Sequence, residues 1–302
     1  MARILTPTQL DQYRDEGFVV LAALIEAPLL RRMRDALAEL VEKSRRIQTH
    51  DEVYDLEPGH TADRPRVRRI KKPHVVHPVF RELLDHPGLK AATQDLLGEN
   101  VRLYNSKLNV KAPEYGSPVE WHQDWAFYPH TNDDVTAAGV MLDDTSVENG
   151  AMYVLPGTHR GPTFDHHGSD GRFCGAMDPD ACGLDFRSAL ACEGPAGSVS
   201  FHHARTVHGS AQNVSDRPRS LLLYELTAAD AYPLMNLSNA GYEEFRARMV
   251  YGSECFIPRV VPAPIRLPLP PALHQGSIYE NQTAGKRYFG FVDAGGRKSV
   301  TS

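Results

Sequence analysis

His122 and Asp124, in the stretch EWHQDW, set one imidazole and one carboxylate two positions apart. In an extended strand, side chains two apart project to the same face, so these two converge while Gln123 points away. Such a pair can hold a metal, although hydrogen-bonded structural His and Asp are the commoner explanation of an isolated HxD. A third ligand must come from elsewhere among fourteen histidines. His208 is distinguished by the residues after it in TVHGSAQNVSDRPRS: Asn213, Ser215, Asp216 and Pro218 mark a turn. If the flanking strands pair antiparallel about that turn, His208 and Arg219 lie across from each other. A guanidinium has no lone pair for a metal. It suits the far carboxylate of a small dicarboxylic cofactor whose near end chelates the metal, against the plainer reading of a surface arginine beside a loop. Two histidines and one carboxylate leave three coordination positions open, the ligand set of non-haem Fe(II). A structural zinc site closes its shell with four protein ligands, usually including cysteine, and no cysteine lies near either cluster in sequence.

Outward along the chain, Thr6, Pro7 and Gln9 read as an N-cap, a first helical residue and the return half of a capping box. After Gly17, FVVLAAL has strand length. Leu29, Leu30, Met33, Leu37, Leu40 and Val41 recur at threes and fours and predict a helix with one apolar face. Residues 46–65 read as a mobile polar loop. RVRRIKK, with Arg66, Arg68, Arg69, Lys71 and Lys72, reads as a solvated edge strand, with anion recognition as its functional alternative. HPVFRELLDHPGLKAATQDLLG reads as a broken helix ended at Gly98. From residue 101 the pattern changes to short runs punctuated by turns: VRLYNSKLNVK, SPVEWHQDW, AAGVMLDD, AMYVLPG, GSVSFHH and RSLLLYELT. Asn149-Gly150 between two of them predicts a hairpin. Helices before many short strands mean an α+β protein with a mainly β core, an antiparallel sandwich or barrel.

We read one domain over 1–302: helical support over 1–100, the β core that carries the ligands over 101–228, and a proline-rich wrap over 229–302. Seven prolines from Pro233 to Pro271 argue against long central strands in the last part. DHHGSDG, 165–171, reads as a flexible polar loop or lid rather than a second metal cluster. Trp121, Trp125, Phe127 and Tyr128 read as core packing before pocket lining.

A formal charge of −5 gives no general attraction to phosphate backbones or anionic lipid, so nucleic acid and membrane are poor partners. No run approaches the ~18 apolar residues of a membrane span, and the N-terminus lacks a secretion signal's apolar core. The expectation is a soluble cytoplasmic protein, monomer or homodimer. Four cysteines without a CxxC pairing indicate neither a disulfide framework nor a zinc ribbon.

Taken together, WHQDWAFYPH, DDTSVENGAMYVLPGTHRG and HGSAQNVSDRPR resemble the phytanoyl-CoA dioxygenase family of Fe(II)- and 2-oxoglutarate-dependent oxygenases, over roughly residues 66–226. The resemblance implies a double-stranded β-helix, the jelly-roll or cupin-like barrel, with supporting helices. It implies that His122, Asp124 and His208 bind Fe(II), and that Arg219, assisted by Ser210, holds the distal carboxylate of 2-oxoglutarate. Lys107 sits where relatives often carry a basic or polar residue near the cosubstrate, a looser match. The implied reaction consumes O2 and 2-oxoglutarate, releases succinate and CO2, and hydroxylates a C–H bond of a small-molecule substrate. Some similar enzymes are halogenases with a small residue in place of the metal carboxylate, and Asp124 argues for hydroxylation here. The alternative is a cupin-like metal-dependent isomerase or hydrolase without 2-oxoglutarate, which leaves Arg219 unexplained. A non-catalytic barrel is the third reading, and it leaves the complete ligand set unexplained.

Overall fold

The chain enters through a helix that its own first residues cap. In the computed structural model, which describes residues 3–114, 116–235, 237, 241–272 and 277–289, α1 (Pro7–Glu16) starts as the capping box requires. The Gln9 amide donates to Thr6 Oγ1 at 3.3 Å, and Gln9 Oε1 accepts from the Thr6 amide at 2.9 Å. Gly17, at φ 83°, ends the helix in the left-handed region and hands the chain to β1 (Phe18–Leu21). The next helix, α2 (Ala27–Lys43), buries Leu29, Leu30, Met33, Ala36 and Leu40. Then come β2 (Tyr54–Leu56), β3 (Val67–Lys71), the short α3 (Pro73–Val76), α4 (Pro78–Glu82) and α5 (Pro87–Leu97), the last closed by Gly98.

The β core comprises β4 (Val101–Lys111), β5 (Val119–His122), β6 (Val135–Met141), β7 (Met152–Val154), β8 (Leu190–Cys192), β9 (Val199–His203), β10 (His208–Ser210) and β11 (Arg219–Ala228). After it come α6 (Tyr242–Ala247), β12 (Met249–Tyr251) and α7 (Ile278–Asn281). The strands form two antiparallel sheets. The larger runs β1-β9-β6-β11-β4-β3-β2, with β12 beside β4, and the smaller runs β5-β10-β7-β8. This is the expected jelly-roll sandwich with helical support. Among the described residues no helix is long and apolar enough to cross a membrane.

β11 shows why the large sheet is legible only in part. All ten of its residues are buried. Leu222, Tyr224 and Leu226 face a core shared with the helices, where Met33, Phe80, Leu83 and Leu89 pack. Leu221 and Leu223 face the small sheet and meet Met152, Val154 and Cys192. A strand covered on both faces loses the polar–apolar alternation of a half-exposed one.

Three sequence expectations need correction. Residues 46–65 are not one loop: Tyr54–Leu56 forms β2, held by burial of all three residues and by the Tyr54 hydroxyl donating to Leu40 O at 2.9 Å. RVRRIKK is not a solvated edge, because β3 lies between β2 and β4. Its Arg68, buried, pairs with Glu57 at 3.0 Å and its half-buried Arg69 with Asp55 at 2.5 Å, so both guanidiniums meet an acid within the fold. The Asn149-Gly150 turn does not close a hairpin either, since β6 and β7 belong to different sheets. Asn149 instead ties the crossing down: Oδ1 accepts from the Ser146 amide at 2.8 Å and Nδ2 donates to Asp144 O at 2.7 Å.

Candidate metal centre

β5 ends at His122, and Gln123 continues extended (φ −116°, ψ 127°) before a 3₁₀ turn begins at Asp124. The alternation therefore survives the end of the strand, and His122 and Asp124 face the cavity while Gln123 faces away. Gln123 is the anchor that fixes this exit. Its Nε2 donates to Arg205 O at 2.8 Å and Pro162 O at 3.1 Å, Oε1 accepts from the Phe164 amide at 2.9 Å, and its own amide donates to His166 Nε2 at 2.9 Å. Every polar atom of this buried amide is satisfied. The DHHGSDG loop is thereby pinned rather than free, with His166 buried inside it.

His208 arrives from β10, which pairs with β5 so that His208 stands directly across from His122. Here the expected pairing of His208 with Arg219 fails: β10 lies in the small sheet and β11 in the large one. The intervening turn carries the chain from sheet to sheet, so the two residues face the same cavity from opposite walls. Asp124 Oδ1 lies 3.7 Å from His122 Nε2 and 3.9 Å from His208 Nε2. One ligand atom from each of the three residues falls within 4.8 Å of the others, and all three residues are buried.

The ring nitrogens that face away are occupied. His122 Nδ1 donates to Glu120 O at 2.8 Å and His208 Nδ1 to Thr206 O at 2.9 Å. Each ring thus carries its proton on Nδ1 and turns the Nε2 lone pair toward Asp124, the tautomer a metal ligand requires. Burial pushes the His122 imidazole down to about 4 and the His208 imidazole well below its ordinary value. Burial alone would raise the Asp124 carboxyl, but Lys107, His202 and His208 outweigh it and hold it well below the usual range. Two bare imidazole nitrogens and one carboxylate on one side of a cavity fit a non-haem iron.

The same cavity reaches Ser210, Arg219, Lys111, Lys107, Arg69 and Tyr279. Arg219 donates from Nε and Nη2 to Gly150 O at 3.0 and 2.7 Å, which leaves Nη1 buried and without a partner. Burial pushes this guanidinium down to about 10, an environment that favours an arriving anion. Gly150 is at φ 85°, and a Cβ there would stand 2.8 Å from Lys111 Cδ, so glycine is what lets this carbonyl face Arg219. Lys111, which the sequence did not single out, stands across from Arg219 in the β4–β11 register. Lys107 stands four residues along, across from Leu223, with Nζ 2.9 Å from Glu225 and 3.7 Å from Asp124 Oδ1.

Of the aromatic residues, Trp125 is core, its indole donating to Pro264 O at 2.9 Å. Trp121 packs on Phe186 and Phe289. Phe127 and Tyr128 line an outer recess that shares Lys107 and Asp124 with the main cavity. Sequence reading did not single out Ile278 and Tyr279, which the C-terminal strap brings into the cavity wall. Gln282 Oε1 accepts from the Glu120 amide at 2.9 Å, and the Glu120 carboxylate accepts from the Tyr288 and Phe289 amides at 2.7 and 3.1 Å. Only the proline content of this region hinted at a wrap.

The family model for phytanoyl-CoA dioxygenase matches residues 13–221. A probable alpha-ketoglutarate-dependent hypophosphite dioxygenase of Stutzerimonas stutzeri is 36% identical over 279 residues, covering 91% of this chain and 96% of the relative. The L-proline trans-4-hydroxylase of Streptomyces griseoviridis is 29% identical over 245 residues, covering 74% and 88%. Among solved structures, the iron-bound EctD from S. alaskensis superposes with a TM-score of 0.64 at 23% identity over 75% of this chain and 78% of its own. At that identity it shows the fold alone. The non-heme alpha ketoglutarate dependent carbocyclase SnoK gives a TM-score of 0.62 at 26% identity over 80% and 91%. These relatives support the oxygenase reading over the metal isomerase or hydrolase. The protein is a dioxygenase that depends on Fe(II) and 2-oxoglutarate and acts on a small molecule. With the profile spanning most of the chain, it belongs to the phytanoyl-CoA dioxygenase family.

Proposed function

We propose that His122, Asp124 and His208 hold the iron, that Arg219 and Ser210 hold the distal carboxylate of 2-oxoglutarate, and that the substrate is a small oxyanion of the hypophosphite class. One observation carries the first two assignments. A single buried cavity has two imidazole lone pairs turned toward a carboxylate on one wall and an unpartnered guanidinium nitrogen on another. When bound, the metal supplies O2 activation coupled to decarboxylation of 2-oxoglutarate. The chain's part is positioning. The backbone carbonyls of Glu120 and Thr206 fix the ligand tautomers, Gly150 O aims Arg219, and the strap closes the cavity wall. Lys111, beside Arg219, adds a second buried donor, and Lys107 serves the metal end of the cavity. That Ile278 and Tyr279 line the same cavity as His122 and Arg219 supports reading the chain as one oxygenase domain with a C-terminal wrap.

The substrate class rests on the relative of 36% identity, and the basic residues of the cavity wall, Arg69, Lys107, Lys111 and Arg219, are compatible with an anion there. The hydroxylation expected at a C–H bond extends to the P–H bond of hypophosphite, giving phosphite while 2-oxoglutarate and O2 become succinate and CO2. Anaerobic addition of Fe(II) and 2-oxoglutarate should give a weak visible charge-transfer band that Arg219→Ala diminishes. With O2 admitted, ³¹P NMR should show hypophosphite converted to phosphite with one succinate per turnover. Succinate release driven only by an amino acid such as L-proline would overturn the oxyanion assignment and leave the iron and cosubstrate assignments standing.

A further inference from the structure

The carboxylate of Asp124 has two differently placed oxygens. Oδ1 faces His122, His208 and Lys107 at 3.7 to 3.9 Å. Oδ2 faces His202, whose Nε2 stands 3.4 Å away. His202 comes from β9, in the large sheet, and is absent from the HxD and HGS motifs. It is 1% exposed, lines the cavity, and packs its ring 4.4 Å from that of His208. Neither of its nitrogens has a hydrogen-bond partner. A buried imidazole left unpartnered is costly, so its position calls for a physical reason.

The sheet register supplies one. His202 pairs with Ala137, Ala137 with Glu225, and Glu225 with Asn105, so the four form one row across the large sheet. Arg219 and Lys111 form another row, six residues further along β11 and so about 20 Å away at ~3.4 Å per residue. His202 therefore stands at the end of the cavity floor away from the cosubstrate guanidinium, against the outer oxygen of Asp124. A ligating carboxylate free to rotate can present either oxygen or both. A donor on one oxygen leaves the other as the single ligand atom.

We propose that His202 is a positioning residue for the metal centre: its Nε2–H holds Asp124 Oδ2, so that Oδ1 alone is offered alongside His122 and His208. The inference rests on the proposed ligand assignment of His122, Asp124 and His208. At 3.4 Å the two atoms are close enough for a hydrogen bond and lack only its alignment.

The test uses Co(II) as probe on the full chain without substrate. His202→Phe keeps a ring against His208 and removes the N–H; His202→Gln keeps a donor near the Nε2 position. His202→Phe should bind Co(II) about 10–100-fold more weakly than wild type and alter the Co(II) visible spectrum. His202→Gln should recover most of the affinity. Long-range ¹H–¹⁵N correlation on the wild-type protein should place the His202 proton on Nε2. Co(II) affinity within twofold of wild type in a folded His202→Phe protein overturns the inference. So does a proton found on Nδ1 with Nε2 bare, a measurement that needs no variant to fold. If instead Asp124→Ala binds Co(II) as tightly as wild type, the ligand assignment itself has failed and takes this inference with it.

Discussion

His122 and His208 are directly paired residues of adjacent antiparallel strands, their ring centroids 4.1 Å apart and their Nε2 atoms 3.7 and 3.9 Å from the same oxygen of Asp124. Cross-strand pairing brings the two imidazole nitrogens together, and the exit of β5 brings the carboxylate between them. On the proposed assignment of all three to one ion, losing Asp124 should weaken Fe(II) binding by more than the roughly 10–100-fold that loss of an outer partner costs. Metal titration of Asp124→Ala checks this, and wild-type turnover by that variant would remove Asp124 from the centre.

Arg219 offers the cavity one unpartnered buried nitrogen while two others hold Gly150 O. Lysine keeps the charge and loses the planar fork. Arg219→Lys should raise the KM for 2-oxoglutarate at least about tenfold, or about 1.4 kcal/mol, with little change in the KM of the primary substrate. Equal increases in both would show a general collapse of the cavity instead.

Gln282 stitches the C-terminal strap to the ligand strand through the Glu120 amide at 2.9 Å and Gly175 O at 2.8 Å. Gln282→Ala leaves those buried groups unsatisfied and should cost about 1–3 kcal/mol, read by urea denaturation. Limited proteolysis should cut first within the strap. An unchanged cleavage pattern and midpoint would show that the strap is held by Phe289 and its aromatic neighbours alone.

Burial pushes His130 down to about 4 and His166 and His203 to about 3. A histidine with an ordinary unfolded value near 6.5 binds more protons unfolded than folded between those limits. The stability it contributes is thus complete above about pH 6.5 and is lost as pH falls toward 4. Each such group has a limiting slope of about 1.4 kcal/mol per pH unit. The melting temperature of the metal-free protein should be flat from pH 7 to 8 and drop steeply below pH 6. A flat profile down to pH 4.5 would mean that these rings are already charged in the fold.

Local signals in the chain were enough for α1, whose cap lies within four residues, for α2, whose apolar face repeats at helical spacing, and for the convergence of His122 with Asp124, which needs only strand alternation. β2 was hidden in a polar stretch because three residues carry too little pattern to outweigh their neighbours. Arg68 and Arg69 looked solvent-facing because their acidic partners, Glu57 and Asp55, are read as loop residues until β2 and β3 pair. His202, Lys111 and Tyr279 carried no motif, since each is defined by what stands across from it.

The order of residues alone determined the chemistry on offer: an imidazole and a carboxylate two apart, a later histidine, and an arginine eleven positions beyond it. Which wall of the cavity each group occupies was decided only by the tertiary structure. The turn after His208 crosses between sheets rather than closing a hairpin, and the Asn149-Gly150 turn does the same. The physical reason is that turn residues specify a local reversal of the backbone, whereas the strand partner is chosen by burial of side chains far apart in the chain.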